Sequence, residues 1–459
     1  MKKFIGDKAF YKTVLAIAIP IMIQNGITNF VGLLDNIMVG QVGTEPMSGV
    51  AIVNTILFVF YLAVFGAISG PGIFTAQYAG QKNQEGIRDT FRFKILIVAV
   101  ITLLGILLLT VFDDELILLF LHENGDTALS LENTLNYGKA YLHVMLIGMI
   151  PNGITQAYAG TLRETGETKI PMYASVIAVF VNLVLNYILI FGHFGFPTLG
   201  VVGAAVATVI SRFVEIAIVV GWTHMHLDRY PYAASLYKSF KIPGNLAGKI
   251  LVKGTPLFLN EFLWSLAMSS LTQCYSVRGL EVVAAFNISN TITNLFNVVM
   301  ISMGSVVAIM SGQILGSGNM EEVVDTDNKL IAFSLFLCSV MAGILIVAAP
   351  LFPMLYDTTD EIRALAVRLM RIAAAFMPLA SYMNTAYFTL RSGGKTFVTF
   401  LFDSVFVWVV SFPVAFYISR FTGIPIEPMY TIVLAVDFIK VIIGFILLKK
   451  RIWIQDLVG

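Results

Sequence analysis

The sequence contains a hydrophobic segment that is repeated, without a gap, 236 positions later in the chain. The matching positions are Pro20 with Pro256, Ile52–Ile56 with Ile288–Ile292, Phe60 with Phe296, Gln77 with Gln313, Gly80 with Gly316 and Asn83 with Asn319. Both copies lie in apolar runs long enough to cross a bilayer, which takes about 20 helical residues. The chain is therefore predicted to contain two similar membrane halves, an organisation common among secondary transporters.

The composition supports the membrane assignment and excludes other classes. Hydrophobic residues make up 57% of the chain, charged residues 12%, and the mean hydropathy is +0.83. These values are typical of an integral membrane protein. A net charge of +1 gives no indication of nucleic-acid binding. Cys274 and Cys338 both fall in apolar runs, so they predict neither a disulfide framework nor a metal site.

Apolar runs between charged or turn-rich breaks predict an all-α membrane protein with twelve transmembrane helices. Their predicted starts lie near residues 13, 49, 93, 138, 170, 201, 249, 284, 329, 366, 397 and 429. The first run, Thr13–Val39, is too long for a signal peptide, and we interpret it as a retained span. With both termini in the cytoplasm, 21 Lys and Arg lie on the cytoplasmic side and six outside, which predicts this orientation.

Six predicted spans fall in each half of the chain. The predicted domains are an N-terminal six-helix lobe at 1–223, a cytoplasmic linker at 224–248 and a C-terminal six-helix lobe at 249–459. Pro231, Pro243 and Gly244 interrupt the linker. Because each half has an even number of spans, both enter the membrane in the same direction, and the repeats are predicted to be parallel.

Asp35 is the first candidate functional residue, because a charged side chain at membrane depth costs about 2.5–3.5 kcal/mol on insertion scales. Counting along the helices places it in the outer half of span one, and places Asn182 and Asn186 at the same level of span five. One carboxylate and two amide oxygens suit a sodium ion, and the carboxyl group could carry a proton instead. Alternatively, Asp35 caps the outer end of its helix and the asparagines join neighbouring helices.

The C-terminal half carries a different set of charges. Glu261 on span seven and Asp403 on span eleven have equal predicted depth, which allows a shared cluster. On span twelve, Asp437 and Lys440 are three residues apart, a spacing that allows a pair within one helix. These four residues predict either a structural network that neutralises buried charge or a proton relay and substrate counter-charge.

Span eight carries a line of amide side chains along one helical face: Asn287, Asn290, Asn294 and Asn297. Such a line is not expected to face lipid. It either lines a central substrate cavity or forms hydrogen bonds with span seven, and Thr291 and Thr293 extend the polar surface in favour of the cavity. The 35 Phe and 19 Met residues suit a cavity that accepts varied flat cations.

Several of these features resemble the multidrug and toxic compound extrusion (MATE) transporters over essentially the whole chain. The matching marks are Pro20 and Gln24, the stretch Leu34–Gly40, Gln77 with Gly80, and Leu162–Arg163 followed by Gly166, Thr168 and Lys169, which recurs as Leu390–Arg391 followed by Gly394 and Thr396. Their order over twelve spans is characteristic of the family.

The resemblance implies two six-helix lobes that form a V-shaped central cavity. It also implies multidrug efflux by antiport, in which small organic, often cationic, compounds leave in exchange for sodium ions or protons. The family's N-terminal ion site uses positions matching Asp35, Asn182 and Asn186, and Thr208 on span six is a fourth candidate. The acidic residue that one branch of the family carries on span ten is missing here, since Arg371–Arg391 contains none. We expect a multi-pass monomer in the cell membrane, with no cofactor besides the coupling ion.

Two other functions are less compatible with this sequence. A lipid-linked saccharide flippase has similar lobes but a strongly cationic cavity, whereas Arg212 and Lys440 are the two basic residues deep in predicted spans here. A membrane-embedded enzyme would need a nucleophile, a metal constellation or a phosphate loop, and the sequence contains none of these motifs. The chain is therefore not expected to be an enzyme.

Overall fold

The computed structural model describes residues 4–120, 128–356 and 358–459, and these residues form twelve long helices and no strand. The helices are α1 Lys8–Gly40, α2 Thr44–Gly80, α3 Gln84–Val111, α4 Ala128–Glu164, α5 Lys169–Phe191, α6 Gly200–Met225, α7 Gly244–Ser276, α8 Leu280–Gly316, α9 Met320–Ala348, α10 Asp360–Ser392, α11 Thr396–Phe421 and α12 Ile426–Lys449. Within these described residues, ten helices are long and apolar enough to cross a membrane, and the other two are the more polar α4 and α7. The all-α fold with twelve helices is confirmed.

The sequence repeat is also a repeat of local structure. Asn83 and Asn319 both precede a helix, and their side-chain oxygens accept hydrogen bonds from Gly86 N at 3.0 Å and Glu322 N at 3.3 Å. These caps satisfy backbone donors that a first helical turn leaves unpaired, which fixes where α3 and α9 begin. An asparagine cap therefore starts the corresponding helix at the equivalent position of each half.

The chain divides into two compact units. Unit 1 contains Met1–Met22, Ala76–Lys82 and Leu251–Gly459, and unit 2 contains Ile23–Thr75 and Asn83–Ile250. The division near residue 250 lies close to the predicted end of the linker, but the first part of α1 and the end of α2 cluster with the C-terminal half. Apolar packing accounts for this assignment of α1, because Val14 and Ala18 are fully buried in a core with Met303, Val306 and Val307.

Within unit 1, the ends of α2 and α8 cross at the repeated glycines. A Cβ atom added to Gly80 would lie 1.9 Å from the carbonyl oxygen of Gln313, and one added to Gly316 would lie 1.9 Å from the carbonyl oxygen of Gln77. Each helix thus packs its glycine against the backbone of the other, in a reciprocal contact that no larger residue allows. Glycine occupies both repeated positions because both residues take part in one close crossing of α2 and α8.

Gly316→Ala should destabilise the protein by about 1–3 kcal/mol, because the new methyl group would displace a backbone carbonyl rather than a flexible side chain. Gly343→Ala on α9 is the matched control. Nothing lies within 4 Å of a Cβ added there, so alanine should be neutral or stabilising by up to about 1 kcal/mol through helix propensity. Thermal unfolding of the purified variants measures both effects, and equal melting temperatures for the two would contradict the close crossing.

Candidate ion-binding site

Three helices of unit 2 bring Asp35 together with the predicted amides. Asp35 lies five residues before the end of α1, and Asn186 lies five residues before the end of α5. The amide Nδ2 of Asn186 donates a hydrogen bond to Asp35 Oδ1 at 2.7 Å. Asn186 is 1% exposed and Asn182 is 5% exposed, so both amides are removed from bulk water. The carboxyl group therefore has buried amide partners on a second helix.

Asn182 connects this pair to α6. In one orientation of its amide, Oδ1 accepts a hydrogen bond from Asn186 Nδ2 at 3.2 Å, and Nδ2 donates to Thr208 Oγ1 at 3.2 Å. In this orientation the Asn182 oxygen lies 3.0 Å from Asp35 Oδ2, so two acceptors face each other. In the turned orientation, Asn182 Nδ2 donates to Asp35 instead and its oxygen accepts from Thr208. The turned orientation satisfies both amide atoms of Asn182 and joins the Asp35 carboxylate to α6.

The turn between α5 and α6 sets the position of Thr208. Leu199 N donates to the carbonyl oxygen of Leu189 at 2.9 Å, which closes the turn and holds the two helices side by side. The Thr208 hydroxyl donates to the carbonyl oxygen of Ala204 at 3.0 Å, so its oxygen remains available as an acceptor. Local backbone bonding therefore presents this oxygen to Asn182.

The electrostatics of the cluster suit a monovalent cation. Arg212 acts on the Asp35 carboxylate from α6, but its Nη1 is bound to Glu215 Oε2 at 2.9 Å. Arg212 and Glu215 neutralise each other, so one negative charge remains at Asp35. The oxygen Asn186 Oδ1 is buried and has no hydrogen-bond partner among the described residues. A carboxylate with amide and hydroxyl oxygens nearby fits one sodium ion, and the same carboxylate fits one proton.

The structure therefore brings together all four residues that the sequence nominated, while their role as an ion site remains a prediction. Asp35 lies inside α1 and contacts a side chain of α5, so it does not cap the helix end, whereas the hydrogen bonds of Asn182 and Asn186 do join neighbouring helices, as the alternative also expected. Sequence reasoning missed Tyr141 on α4, which is buried, interacts electrostatically with Arg212 and donates to Asn54 Oδ1 at 3.2 Å. A lone tyrosine in an apolar run gave no signal for it.

A second polar cluster lies in unit 1. Lys440 Nζ donates to Asp403 Oδ1 at 2.8 Å, and Asn260 Nδ2 donates to Asp403 Oδ2 at 3.1 Å. Tyr387 joins this group to Glu261, since its hydroxyl lies 3.4 Å from Asn260 Nδ2 and donates to Glu261 Oε1 at 3.5 Å. Glu261 and Asp403 thus belong to one network, in which Asn260 and Tyr387 are the members that the sequence did not indicate.

Lys440 on span twelve pairs with a residue other than Asp437, the partner that its spacing allowed. Lys440 forms its ion pair with Asp403 on α11, and no hydrogen bond joins it to Asp437 among the residues that the structure describes. The Lys440 side chain also lies over the rings of Phe402 and Phe406, at 5.3 and 5.9 Å from their centroids. Packing against α11 draws the ammonium group away from its own helix, and Asp437 interacts with it only at longer range.

The amide line on α8 lies on an open face of unit 1. Asn287, Asn290 and Asn294 are exposed and Asn297 is half-buried. In the described part of the chain, none of these four amide side chains forms a hydrogen bond with α7. The described residues thus give no support to a bond with span seven, and the assignment of these amides to a cavity stays a prediction. An exposed line of amides remains available to a ligand.

Two marks of the resemblance also have a structural explanation. Arg163 Nη2 donates to Gln24 Oε1 at 2.9 Å, which joins the end of α4 to α1 in unit 2. Arg391, the repeat of Arg163, is buried in unit 1 over the ring of Phe388 at 5.3 Å. The repeated arginines thus occupy the interior of each unit rather than a solvated surface.

Twelve long helices in repeated halves, ten of them apolar enough to cross a membrane in the described residues, with buried carboxyl clusters, have the organisation of a secondary transporter. The sequence profile of the MatE family matches residues 20–188 and 256–417, which together make up most of the chain. The chain belongs to the MATE family, whose members are transporters rather than enzymes, and it is a multi-pass membrane protein.

Comparisons with individual proteins agree with this assignment. The chain is 28% identical over 415 residues to the probable multidrug resistance protein NorM of Thermotoga maritima, covering 89% of this chain and 86% of the relative. It is 24% identical over 417 residues to the probable multidrug resistance protein YoeA of Bacillus subtilis, covering 89% and 87%. The structure of an outward-facing multidrug resistance MATE family transporter superposes with a TM-score of 0.85 at 20% identity, covering 98% of this chain and 97% of that one.

Proposed function

We propose that this protein is an antiporter that exports small organic, often cationic, drugs or toxins by alternating access, and that sodium ions or protons drive the export. Family membership and the names of the multidrug resistance relatives support the substrate class. Parallel repeats built around a buried site are a common basis of alternating access. In this arrangement both termini lie in the cytoplasm, as the distribution of Lys and Arg predicts.

The observation that carries the proposal is the contact of the Asp35 carboxylate with buried amides on α5. The Asn186 amide at 2.7 Å and the Asn182 amide at 3.0 Å surround a carboxylate whose charge is not cancelled by the Arg212–Glu215 pair. When sodium binds, the oxygens of Asp35, Asn182, Asn186 and Thr208 would hold it. When a proton binds instead, Asp35 would carry it, and the amides would rearrange their hydrogen bonds around the neutral acid.

Occupancy of this cluster offers a physical means of coupling. A carboxylate without a cation repels the Asn182 and Asn186 oxygens and attracts their NH2 groups, whereas a bound cation reverses both preferences. In the orientation that satisfies both of its amide atoms, Asn182 donates to Asp35 and accepts from Thr208. Ion binding would therefore change the contacts among α1, α5 and α6, and a difference in contacts is what biases one conformation over another.

Substrate binding is assigned to the open face of α8. The amides of Asn287, Asn290, Asn294 and Asn297 would line the substrate cavity and supply both donors and acceptors to varied ligands. Aromatic and thioether side chains would add contacts to flat cations. Nothing in the site or in the names of the relatives favours a lipid-linked saccharide as the substrate.

Reconstitution into proteoliposomes tests the function directly. A fluorescent organic cation loaded inside the vesicles should leave faster when an inward sodium gradient or an inward proton gradient is imposed, with the two gradients applied in separate experiments. Empty vesicles and a collapsed gradient provide the baseline. Efflux that responds to neither gradient would contradict ion-coupled antiport, and efflux that responds to one of them identifies the coupling ion.

A further inference from the structure

Asp327 on α9 is a buried acid that belongs to neither cluster described above. It is 4% exposed, and the Thr389 hydroxyl of α10 donates to its Oδ1 at 2.6 Å. Among the described residues this is its one hydrogen bond, and Asp327 takes part in no ion pair. A buried carboxylate normally requires a counter-charge or several donors, since an isolated charge in an apolar interior is costly. Asp327 has neither.

The charged groups nearby are occupied elsewhere. On the same helix, Lys329 Nζ is bound to Asp325 Oδ2 at 2.5 Å, and that pair is partly exposed. On α10, Tyr382 lies within electrostatic range of Asp327, while Arg391 acts on Glu261. No basic residue of α10 therefore neutralises this carboxyl group.

The other neighbouring helices add no compensating charge. In its described residues α8 has one titratable side chain, Glu281, which lies at the opposite end of that helix from Gln313 and Gly316. The first part of α1 places Tyr11 against Phe333 of α9, with ring centroids 5.0 Å apart, and its two described lysines, Lys8 and Lys12, are exposed and form no ion pair with Asp327. The carboxyl group is thus buried with one hydroxyl donor and no ion pair among the described residues.

The internal repeat provides a comparison within the same chain. Asp89–Thr90 on α3 aligns with Asp325–Thr326 on α9, and Thr161 on α4 aligns with Thr389 on α10. In unit 2 the buried cation Lys94 donates to Thr161 Oγ1 at 3.1 Å and forms an ion pair with Glu164. That half therefore neutralises the charge that it buries beside the repeated threonine.

In unit 1 the same arrangement has lost its neutralising partner. The positions of Lys94 and Glu164 are occupied by Leu330 and Ser392, and the position of the buried ring of Phe91 is occupied by Asp327. The repeated threonine now donates to an acid instead of accepting from a lysine. In unit 2 the buried Lys94 has an ion-pair partner. In unit 1 the buried Asp327 has none among the residues that the structure describes, so only a bound proton can neutralise it.

We propose that Asp327 is a proton-binding site, separate from the Asp35 cluster, whose buried carboxyl group is protonated and neutral where α9 and α10 pack together. The neutral carboxyl group needs no counter-charge, and its carbonyl oxygen accepts the Thr389 hydroxyl. This inference goes beyond the proposed ion-coupled export, because it concerns the charge state of one residue.

Infrared difference spectra of the purified protein, recorded as the pH is changed, test proton binding without any transport measurement. The wild type should show a carbonyl band of a protonated, hydrogen-bonded carboxyl group that is missing in Asp327→Asn. Asp325→Asn, which alters an exposed acid two residues away, should retain the band. If no protonated carboxyl band disappears in Asp327→Asn at pH 6–7, Asp327 is ionised and proton binding there is excluded.

Two further variants keep the test decisive if Asp327→Asn folds poorly. Thr389→Val removes the single donor and should shift the same carbonyl band to higher frequency, whereas an ionised Asp327 would leave every protonated carboxyl band in place.

In thermal unfolding at neutral pH, Asp327→Asn should melt no lower than the wild type, because a neutral amide replaces a neutral acid. Glu164→Gln, which removes the partner of buried Lys94, should melt lower. A comparable loss in both would indicate that Asp327 is a charge held by a counter-charge and would contradict the proposal, and failure of drug export would affect none of these readouts.

Discussion

Asp35→Asn should abolish uphill drug export while the protein still folds and inserts. Asparagine has nearly the same shape as aspartate and keeps an oxygen that can accept from Asn186 Nδ2, which now lies 2.7 Å from Asp35 Oδ1. It has no charge, so it can neither carry a proton nor balance a sodium ion. Asp35→Asn therefore tests the loss of coupling without a loss of structure.

The expected effect is large because the coupling ion supplies all of the driving force. One monovalent cation entering down about 100 mV releases roughly 2.3 kcal/mol, and a tenfold ion gradient adds about 1.4 kcal/mol. Together they would sustain roughly a 500-fold gradient of a neutral drug, which should fall to about one in the variant. A monovalent cationic drug exchanged one for one would reach only about tenfold, because its charge cancels that of the ion.

The measurement is the steady-state drug gradient across proteoliposomes with an imposed ion gradient. Glu45→Gln is the matched control, since it neutralises an acid near the start of α2 that forms no ion pair or hydrogen bond in the part of the chain that the structure describes. It should behave as the wild type does. A wild-type gradient in Asp35→Asn would remove Asp35 from the coupling mechanism.

Lys440→Met should destabilise the protein by about 3–5 kcal/mol, because the carboxylate of Asp403, which is largely buried, then has no counter-charge. The side chains of Lys440 and Asp403 are 8% and 20% exposed, and the atoms Nζ and Oδ1 are 2.8 Å apart. After the substitution, the Asp403 carboxylate would keep the Asn260 amide as a donor, at 3.1 Å from Oδ2. One neutral donor does not replace an ammonium group.

Chemical and thermal unfolding in detergent measure this loss, and a double variant identifies its cause. Lys440→Met combined with Asp403→Asn removes both charges and should recover most of the stability, since no charge then remains unpaired. Lys449→Met, which changes an exposed basic residue on the same helix, should alter stability by less than about 0.5 kcal/mol. Recovery in the double variant would favour the structural network over the proton relay, and equal losses in the single and double variants would contradict the pairing.

The Asp35 cluster could be predicted because depth in a membrane helix follows from residue counts. A rise of about 1.5 Å per residue along straight helices that begin at recognisable loops fixes the level of each polar side chain. Asp35 and Asn186 had the same predicted level, and both lie five residues before the ends of their helices. Few polar side chains share that level, so few partners were available.

The partners in unit 1 were not predictable in the same way. Counting along the chain placed Glu261 and Asp403 at one depth, but it did not indicate that Asn260 and Tyr387 would connect them. It also did not decide whether Lys440 would turn toward Asp437 or toward α11. Helix rotation and side-chain packing determine these contacts, and neither leaves a periodic signal in the sequence.

Asp327 illustrates how a local signal is misread. The charges of Asp325, Asp327 and Lys329 resemble a loop, and the predicted start of span nine near residue 329 places all three at or before the helix. The helix in fact begins at Met320, after the cap residue Asn319. Asp327 therefore lies in the third turn, on the face that α10 covers.

The sequence by itself determined the number of helices, their approximate ends, the repeat and the level of Asp35 and its amides. These features depend on hydrophobicity, capping and helical rise, which act between residues close in the chain. Only the tertiary structure decided which charges pair, which glycines cross and which acid is buried without a partner. Those outcomes depend on which helix faces meet, and contacts between distant segments follow from the packing of the whole molecule.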